Sequence, residues 1–418
     1  MAKVTYKIYN VIALLCLTYF LNNCSIPLSG SETSTFKIYE YTKRFFSDKI
    51  ESTTDGKWSL YKTDYSWNKS ITLISTSFDL TLVDYYGGRD FPQGKVAITD
   101  RKDLYDFLKI AYQEGTYKYI IVDIALDEKG TIYDDSIARL IPQMNNIVVA
   151  RSRKFGLTDS LLTKSGWVDY YKMPYETGFV KYDFGTNERQ SLALRIYNES
   201  NKRNAITSIC GLLFFDGLRL CKKTSPLDYD IRFILQENDT PDSQKIAGIY
   251  AYQNLGTDFQ DDTENDTGKI TNIEKVKKCI NDKIVVIGDF LGNDIHETYV
   301  GKMSGALINL NAYLTLQKGG HLVNIFHVIL LFIFYFILYM IIEYRNKLSL
   351  LIGVAKIGPS DFLQIIVSVV GWGTLFNIIA LVLYLFFDTF FNPWIPTLWF
   401  TFVPQFIKVY KSIKLSKK

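Results

Sequence analysis

The residues best placed to do chemistry lie between positions 288 and 305. Gly288-Asp289-Phe290 is followed by Asp294-x-His296-x-Thr298, then by Gly301 and Gly305. The run Ile284–Ile287 (IVVI) just before them reads as a buried strand. Loops beyond the C-termini of such strands are where open α/β sheets bind ligands. Asp289, Asp294 and His296 carry the carboxylate and imidazole groups that hold a metal or a polar ligand. A structural reading stands beside that one. Asp294 and Thr298 would bond to loop backbone while the glycines permit the turn. The spacing names no particular metal.

Two further positions carry charge at predicted helix starts. Asp134 and Asp135 open one helix, where carboxylates satisfy free backbone N–H groups and complement the helix dipole. Arg101 opens another, where the dipole disfavours a cation. It is expected either to pair with an acid such as Asp123 or Asp289, or to bind a ligand. The acidic run Asp258–Gly268 (DFQDDTENDTG) alternates carboxylates as calcium loops do, but its glycine falls one place late. A solvated acidic turn is the alternative reading. With only His296, His321 and His327, and no Gly-x-Ser-x-Gly or phosphate-loop motif, the chain offers no enzymatic constellation and calls for no cofactor.

The elements that must position these residues alternate in type. Strands are predicted at Thr72–Ser75, Tyr119–Ile124, Asn146–Ala150, Ile231–Leu235 and Ile284–Ile287. Helices are predicted at Lys102–Tyr112, Asp135–Gln143, Arg189–Asn198, Ile273–Ile280 and Ser304–Gln317. Strands rich in Val and Ile that alternate with helices imply an α/β domain with a mostly parallel central sheet. Of the five cysteines, Cys210 and Cys221 flank an apolar segment; they would be either bridged or buried thiols.

Charge divides the chain. Residues outside 25–321 hold ten Lys and Arg and three Asp and Glu, which leaves 37 and 40 of the total 47 and 43 for the middle. Basicity therefore belongs to the ends, and a nucleic-acid partner loses its support. Leu322–Ile342 and Phe362–Phe387 are long runs without a charged side chain, each sufficient to cross a bilayer. Phe390–Ile407 is a third, shorter run with three prolines and with Trp394 and Trp399 at interfacial positions. Ile8–Leu21, behind Lys3 and Lys7, fits a retained signal anchor better than a cleaved signal peptide, because Asn22-Asn23-Cys24 makes a poor cleavage site.

The expected organisation is thus an anchor at 1–24, a water-facing domain at 25–321, spans at 322–342, 362–387 and 390–407, a loop at 343–361 and a basic tail at 408–418. Lys3 and Lys7, then Arg345, Lys347 and Lys356, then the tail lysines all fall on one side of four spans. The positive-inside rule places that side, with both termini, in the cytoplasm and the large domain outside an inner membrane.

Three segments resemble the type-2 CHASE sensory domain of bacterial signalling proteins. One is Thr99-Asp-Arg101 with its helix and the strand YIIVDI. Another is Tyr133-Asp-Asp135 with the strand IVVAR beyond Asn146. The last runs from Ile284 through GDFLGNDIHET into the membrane. The resemblance covers roughly residues 70–400 and implies a sensory ligand-binding function; Arg101, Asp135, Asp289, Asp294, His296 and Thr298 are the candidate contacts for an unknown small molecule. The chain departs from the family in lacking a Pro after Thr298 and a recognisable output domain. Output would then pass to a separate signalling or envelope partner, or through homo-oligomerisation. A structural assembly factor of an envelope complex is the alternative, and an extracytoplasmic hydrolase or transferase a third.

Overall fold

A computed structural model describes residues 2–22, 38–39, 42, 70–85, 91–126, 131–152, 157, 159–168, 181–183, 190–201, 206–209, 213–221, 228–230, 245–246, 249–250, 253–256, 258–259, 272–291, 294–298, 301–352, 361–387 and 392–403. The chain enters through helix α1 (Ala2–Asn22) and reaches the first strand, β1 (Ile71–Ser75). A hairpin of β2 (Leu80–Tyr85) and β3 (Gly94–Thr99) follows, then α2 (Arg101–Glu114), β4 (Tyr119–Asp123), α3 (Asp134–Leu140), β5 (Ile147–Arg151), α4 (Asp159–Leu162) and β6 (Ser165–Trp167). The middle of the chain forms β7 (Lys181–Asp183), α5 (Leu192–Ser200), β8 (Ile206–Ile209), β9 (Leu213–Asp216), β10 (Arg219–Leu220), β11 (Asp228–Asp230), β12 (Lys245–Ile246), β13 (Ile249–Tyr250) and β14 (Gln253–Asn254). Then come α6 (Ile273–Ile280), β15 (Ile284–Gly288), the hairpin β16 (Ile295–Thr298) and β17 (Gly301–Ser304), and α7 (Gly305–Gln317). The long helices α8 (Ile325–Ile352) and α9 (Asp361–Phe387) precede a last apolar helix, α10 (Trp394–Val403).

Among the described residues six strands build the central sheet in the order β14-β1-β15-β4-β5-β6, every pair parallel. The expected α/β architecture is present. Strand parity explains its layers, because alternate side chains leave a strand on opposite faces. Tyr119 and Ile121, with Ile284 and Val286, join α5 and α7 on one face. Ile120 and Val122, with Val285 and Ile287, join α2, α3 and α6 on the other. Covered on both faces, β4 and β15 read as unbroken apolar runs.

Sequence expectation and structure part in several places. The helix expected from Arg189 begins at Leu192, because Ser191 caps it by accepting from Leu194 N and because Trp167 bridges to Ser191. The helix expected to reach Gln143 stays α-helical only to Leu140; Pro142 tightens its end into a 3₁₀ turn. The segment expected as a loop over 343–361 continues α8 as helix to Ile352. The strand expected at Ile231–Leu235, most of the Asp258–Gly268 run, Cys24 and Cys210 lie outside the described residues.

The four helices at the two ends of the chain touch one another. Thr18 Oγ1 lies 3.3 Å from Tyr335 OH, the ring centroids of Tyr335 and Phe376 lie 6.2 Å apart, and Trp399 Nε1 donates to Tyr339 OH at 2.7 Å. Among the described residues one stretch, Ser368–Leu385, is long and apolar enough to cross a membrane; Thr5–Thr18, Ile325–Ile341 and Trp394–Val403 are shorter apolar helices.

Candidate functional site

The register of the central strands brings Ser75, Gly288 and Asp123 side by side at their C-terminal ends. Gly288 is required there. A Cβ on it would lie 2.7 Å from Ala306 Cβ, so its absence lets α7 settle on the sheet. Asp123 shares the parity of Tyr119 and Ile121 and therefore faces α7. Asn309, 1% exposed on that helix, donates Nδ2 to Asp123 Oδ2 at 2.6 Å.

The hairpin between β15 and α7 supplies the charged groups, Asp294 and His296, that act on Asp123. Gly305 N donates to Asp294 O at 2.8 Å, and a Cβ on Gly305 would overlap the Asp294 carboxylate. Asp294 Oδ1 lies 2.8 Å from His296 Nε2, with both side chains partly open to solvent. Burial, and then the charge of Asp294, pushes the Asp123 carboxyl up to about 7; the Asn309 hydrogen bond and His296 oppose that rise. A carboxyl poised near neutrality beside a second carboxylate and an imidazole can take up or release a proton, or accept a donor from a polar ligand. Among the described residues no group of three His, Cys, Asp or Glu is arranged to hold a metal ion.

The six residues singled out in the sequence fall into separate places. Asp294 and His296 belong to the hairpin site. Asp289 turns toward the loop after β1, where its Oδ1 accepts from Ser77 Oγ at 2.6 Å; Ser77 Oγ in turn accepts from Leu291 N. Thr298 is fully buried at the hairpin tip, opposite Gly301.

Arg101 pairs with neither Asp123 nor Asp289. Its Nε lies 3.2 Å from Asp134 Oδ1, and its Nη2 donates to Ala125 O at 2.7 Å. The reason is parity: α2 and α3 cover one face of the sheet, whereas Asp123 points to the other. Asp134 is further held by Thr131 N at 2.8 Å, and its neighbour Asp135 is exposed in the first turn of α3.

Asp123, Asn309, Ser77 and Asp134 are the partners that sequence spacing did not assign. The signal for the first was available, since a carboxylate ending an otherwise apolar strand is costly unless partnered. Asn309 and Asn311 stand in an otherwise apolar helix and are both buried, which marks them as satisfied polar groups. No family model, curated protein or solved structure matches this chain.

Proposed function

We propose that the chain is a membrane-anchored sensory protein whose extracytoplasmic α/β domain binds a small polar ligand at the Asp123–Asn309–Asp294–His296 cluster. One observation carries the reading: the helix that supplies Asn309 leads directly to the membrane-type helices. Between α7 and α8 lie only residues 318–324, turned by Gly319 in a left-handed conformation. They are pinned by Val323 N donating to Leu220 O and by Leu322 bridging to Cys221. A ligand that alters the head of α7 therefore acts on an element continuous with α8.

Membrane anchoring is supported by the outward face of α8. Ile325, Ile329, Ile333, Ile337 and Ile341 recur at four-residue spacing and are all exposed. An apolar stripe of that length needs lipid or protein to cover it. We place spans at α1, α8, α9 and α10, with both termini cytoplasmic, because all three basic segments then share one side. The ordered segments likened to the type-2 CHASE domain fit this arrangement, and we propose output through a separate partner or through oligomerisation.

The test is a thermal-shift screen of the full-length protein in detergent against polar small molecules. A stabilising compound whose effect is lost in Asn309→Ala and His296→Ala, yet kept in Asp135→Asn, is the expected result. A stabilising compound indifferent to the first two variants would remove the site. A second reading, an envelope assembly factor, draws on the β2–β3 hairpin, where Leu80 and Leu82 are exposed alongside the nearby Phe78 and Phe91. A protein that no compound stabilises, but that always co-purifies with one partner, would favour it.

A further inference from the structure

A second group of carboxylates gathers where β14 ends at the edge of the sheet. The turn at Leu255-Gly256 follows that strand, with Leu255 N donating to Ser75 O at 3.0 Å. Gly256 is approached from two sides. A Cβ on it would lie 2.7 Å from Asp79 Oδ1 and 2.6 Å from Asp103 Oδ2. The two oxygens are therefore no further apart than those lengths together. Asp79 comes from the loop between β1 and β2, and Asp103 from the first turn of α2. The backbone of Leu255 and Gly256 partly offsets the cost of charge on the Asp79 carboxylate. Even so, Asp79 is 8% exposed, and its Oδ2 is buried without a hydrogen-bond partner, as is Asp103 Oδ1.

The surroundings are negative. Asp100 caps α2, accepting from Lys102 N at 2.8 Å and Asp103 N at 3.1 Å, and Asp258 accepts from Asn254 N at 2.6 Å. Asp106 lies one turn along α2, and Lys102 is the cation acting on Asp103. Arg101, in the same turn, is engaged by Asp134 and Ala125. From α6, which packs on α2, Lys277 pairs with Glu114 at the far end of that helix. A buried carboxylate and a half-buried one on either side of Gly256, in such a setting, cannot both ionise cheaply.

We propose that Asp79 and Asp103 share one proton across the Gly256 turn, a clasp between α2 and the sheet edge that loosens when the proton leaves. The shared proton gives each carboxyl a partner; its loss leaves two charges opposed, with Asp100 and Asp258 adding to the repulsion. Burial and those neighbours push Asp103 up to about 6 and raise Asp79 as well. The sign follows by linkage. Between the ordinary carboxyl value and about 6 the folded protein holds more protons than the unfolded chain, so stability falls as pH rises through that window.

The full-length protein in detergent tests this. Asp123 titrates in the same direction, so melting temperatures are compared in an Asp123→Asn background. There Tm should be higher at pH 5 than at pH 8 by about 3 °C or more. Adding Asp103→Asn should abolish that difference and raise Tm at pH 8. A pH difference that survives Asp103→Asn overturns the clasp. Infrared titration of the wild-type protein needs no variant: two protonated carboxyls should disappear between pH 5 and pH 8, and the loss of only one overturns it.

Discussion

Asn309 on α7 and Asp123 at the end of β4 are joined by a hydrogen bond of 2.6 Å that ties the helix leading toward α8 to the centre of the sheet. The donor is 1% exposed, so nothing from solvent replaces it when it is removed. Asn309→Ala should lower stability by about 1–3 kcal/mol, the worth of a hydrogen bond to a charged, half-buried carboxylate. Denaturant unfolding of the detergent-solubilised protein at pH 8 would measure it, and a loss below about 0.5 kcal/mol would show the bond to be dispensable.

Asp123→Asn should behave in the opposite way. The amide oxygen still accepts from Asn309, and the buried charge is gone. The folded Asp123 carboxyl sits near 7, above its unfolded value, so its favourable contribution is present at low pH and lost as pH rises toward 7. The variant should therefore match wild type near pH 4 and exceed it at pH 8. A variant less stable than wild type at pH 8 would mean that the carboxylate itself is needed there.

Close approach of α7 to the sheet makes a third prediction. Gly288→Ala would place a Cβ 2.7 Å from that of Ala306, and neither methyl group can swing away. Overpacking of this kind costs about 1–3 kcal/mol. Ala306→Gly in the same protein should restore part of the loss. Failure of the double variant to recover would point to backbone strain in place of the methyl–methyl clash.

The sheet was legible because its strands are covered on both faces and so appear as apolar runs. Parity along YIIVD even separates the residues that meet α2 from those that meet α7. What escaped was pairing across distance. Arg101 and Asp134 are separated by the rest of α2, strand β4 and two connections, and nothing local in either segment names the other. The hairpin at Leu80–Tyr85 and Gly94–Thr99 escaped for a different reason: its leucines are exposed, so its pattern does not mark a buried face. The Asp289–Thr298 loop was legible as a cluster of polar residues. Its division into a Ser77-bound aspartate, a buried threonine and an open Asp294–His296 pair depends on the loop after β1, which lies far away in sequence, and on how the start of α7 seats against Asp294.

Arg101 should be far more sensitive to its partner than to the neighbouring acid. It is 1% exposed, and Asp134→Asn would remove the carboxylate charge 3.2 Å from its Nε. Breaking one side of a buried pair costs about 3–5 kcal/mol. Asp135→Asn, on the exposed side of the same turn, should change stability by less than about 0.5 kcal/mol. Similar losses in both variants would mean that the charge at the start of α3, common to the two, matters more than the pair.

Topology is tested by single cysteines placed on either side of the proposed bilayer, in a protein whose native cysteines have been replaced by serine or alanine. Asp135→Cys lies at an exposed position of the α/β domain, and Lys411→Cys lies in the basic tail. In intact cells a membrane-impermeant maleimide should label the first and not the second; after the membrane is opened both should react. Labelling of Lys411→Cys in intact cells would mean that α10 does not cross, since an odd number of spans puts the tail beside the large domain. That outcome would also leave five tail lysines outside, against the positive-inside rule, and would require α10 to pack on the surface of the bundle through Trp399 and Phe400. Protection of Asp135→Cys in intact cells would instead place the whole α/β domain in the cytoplasm. The sensory site would then read an internal ligand.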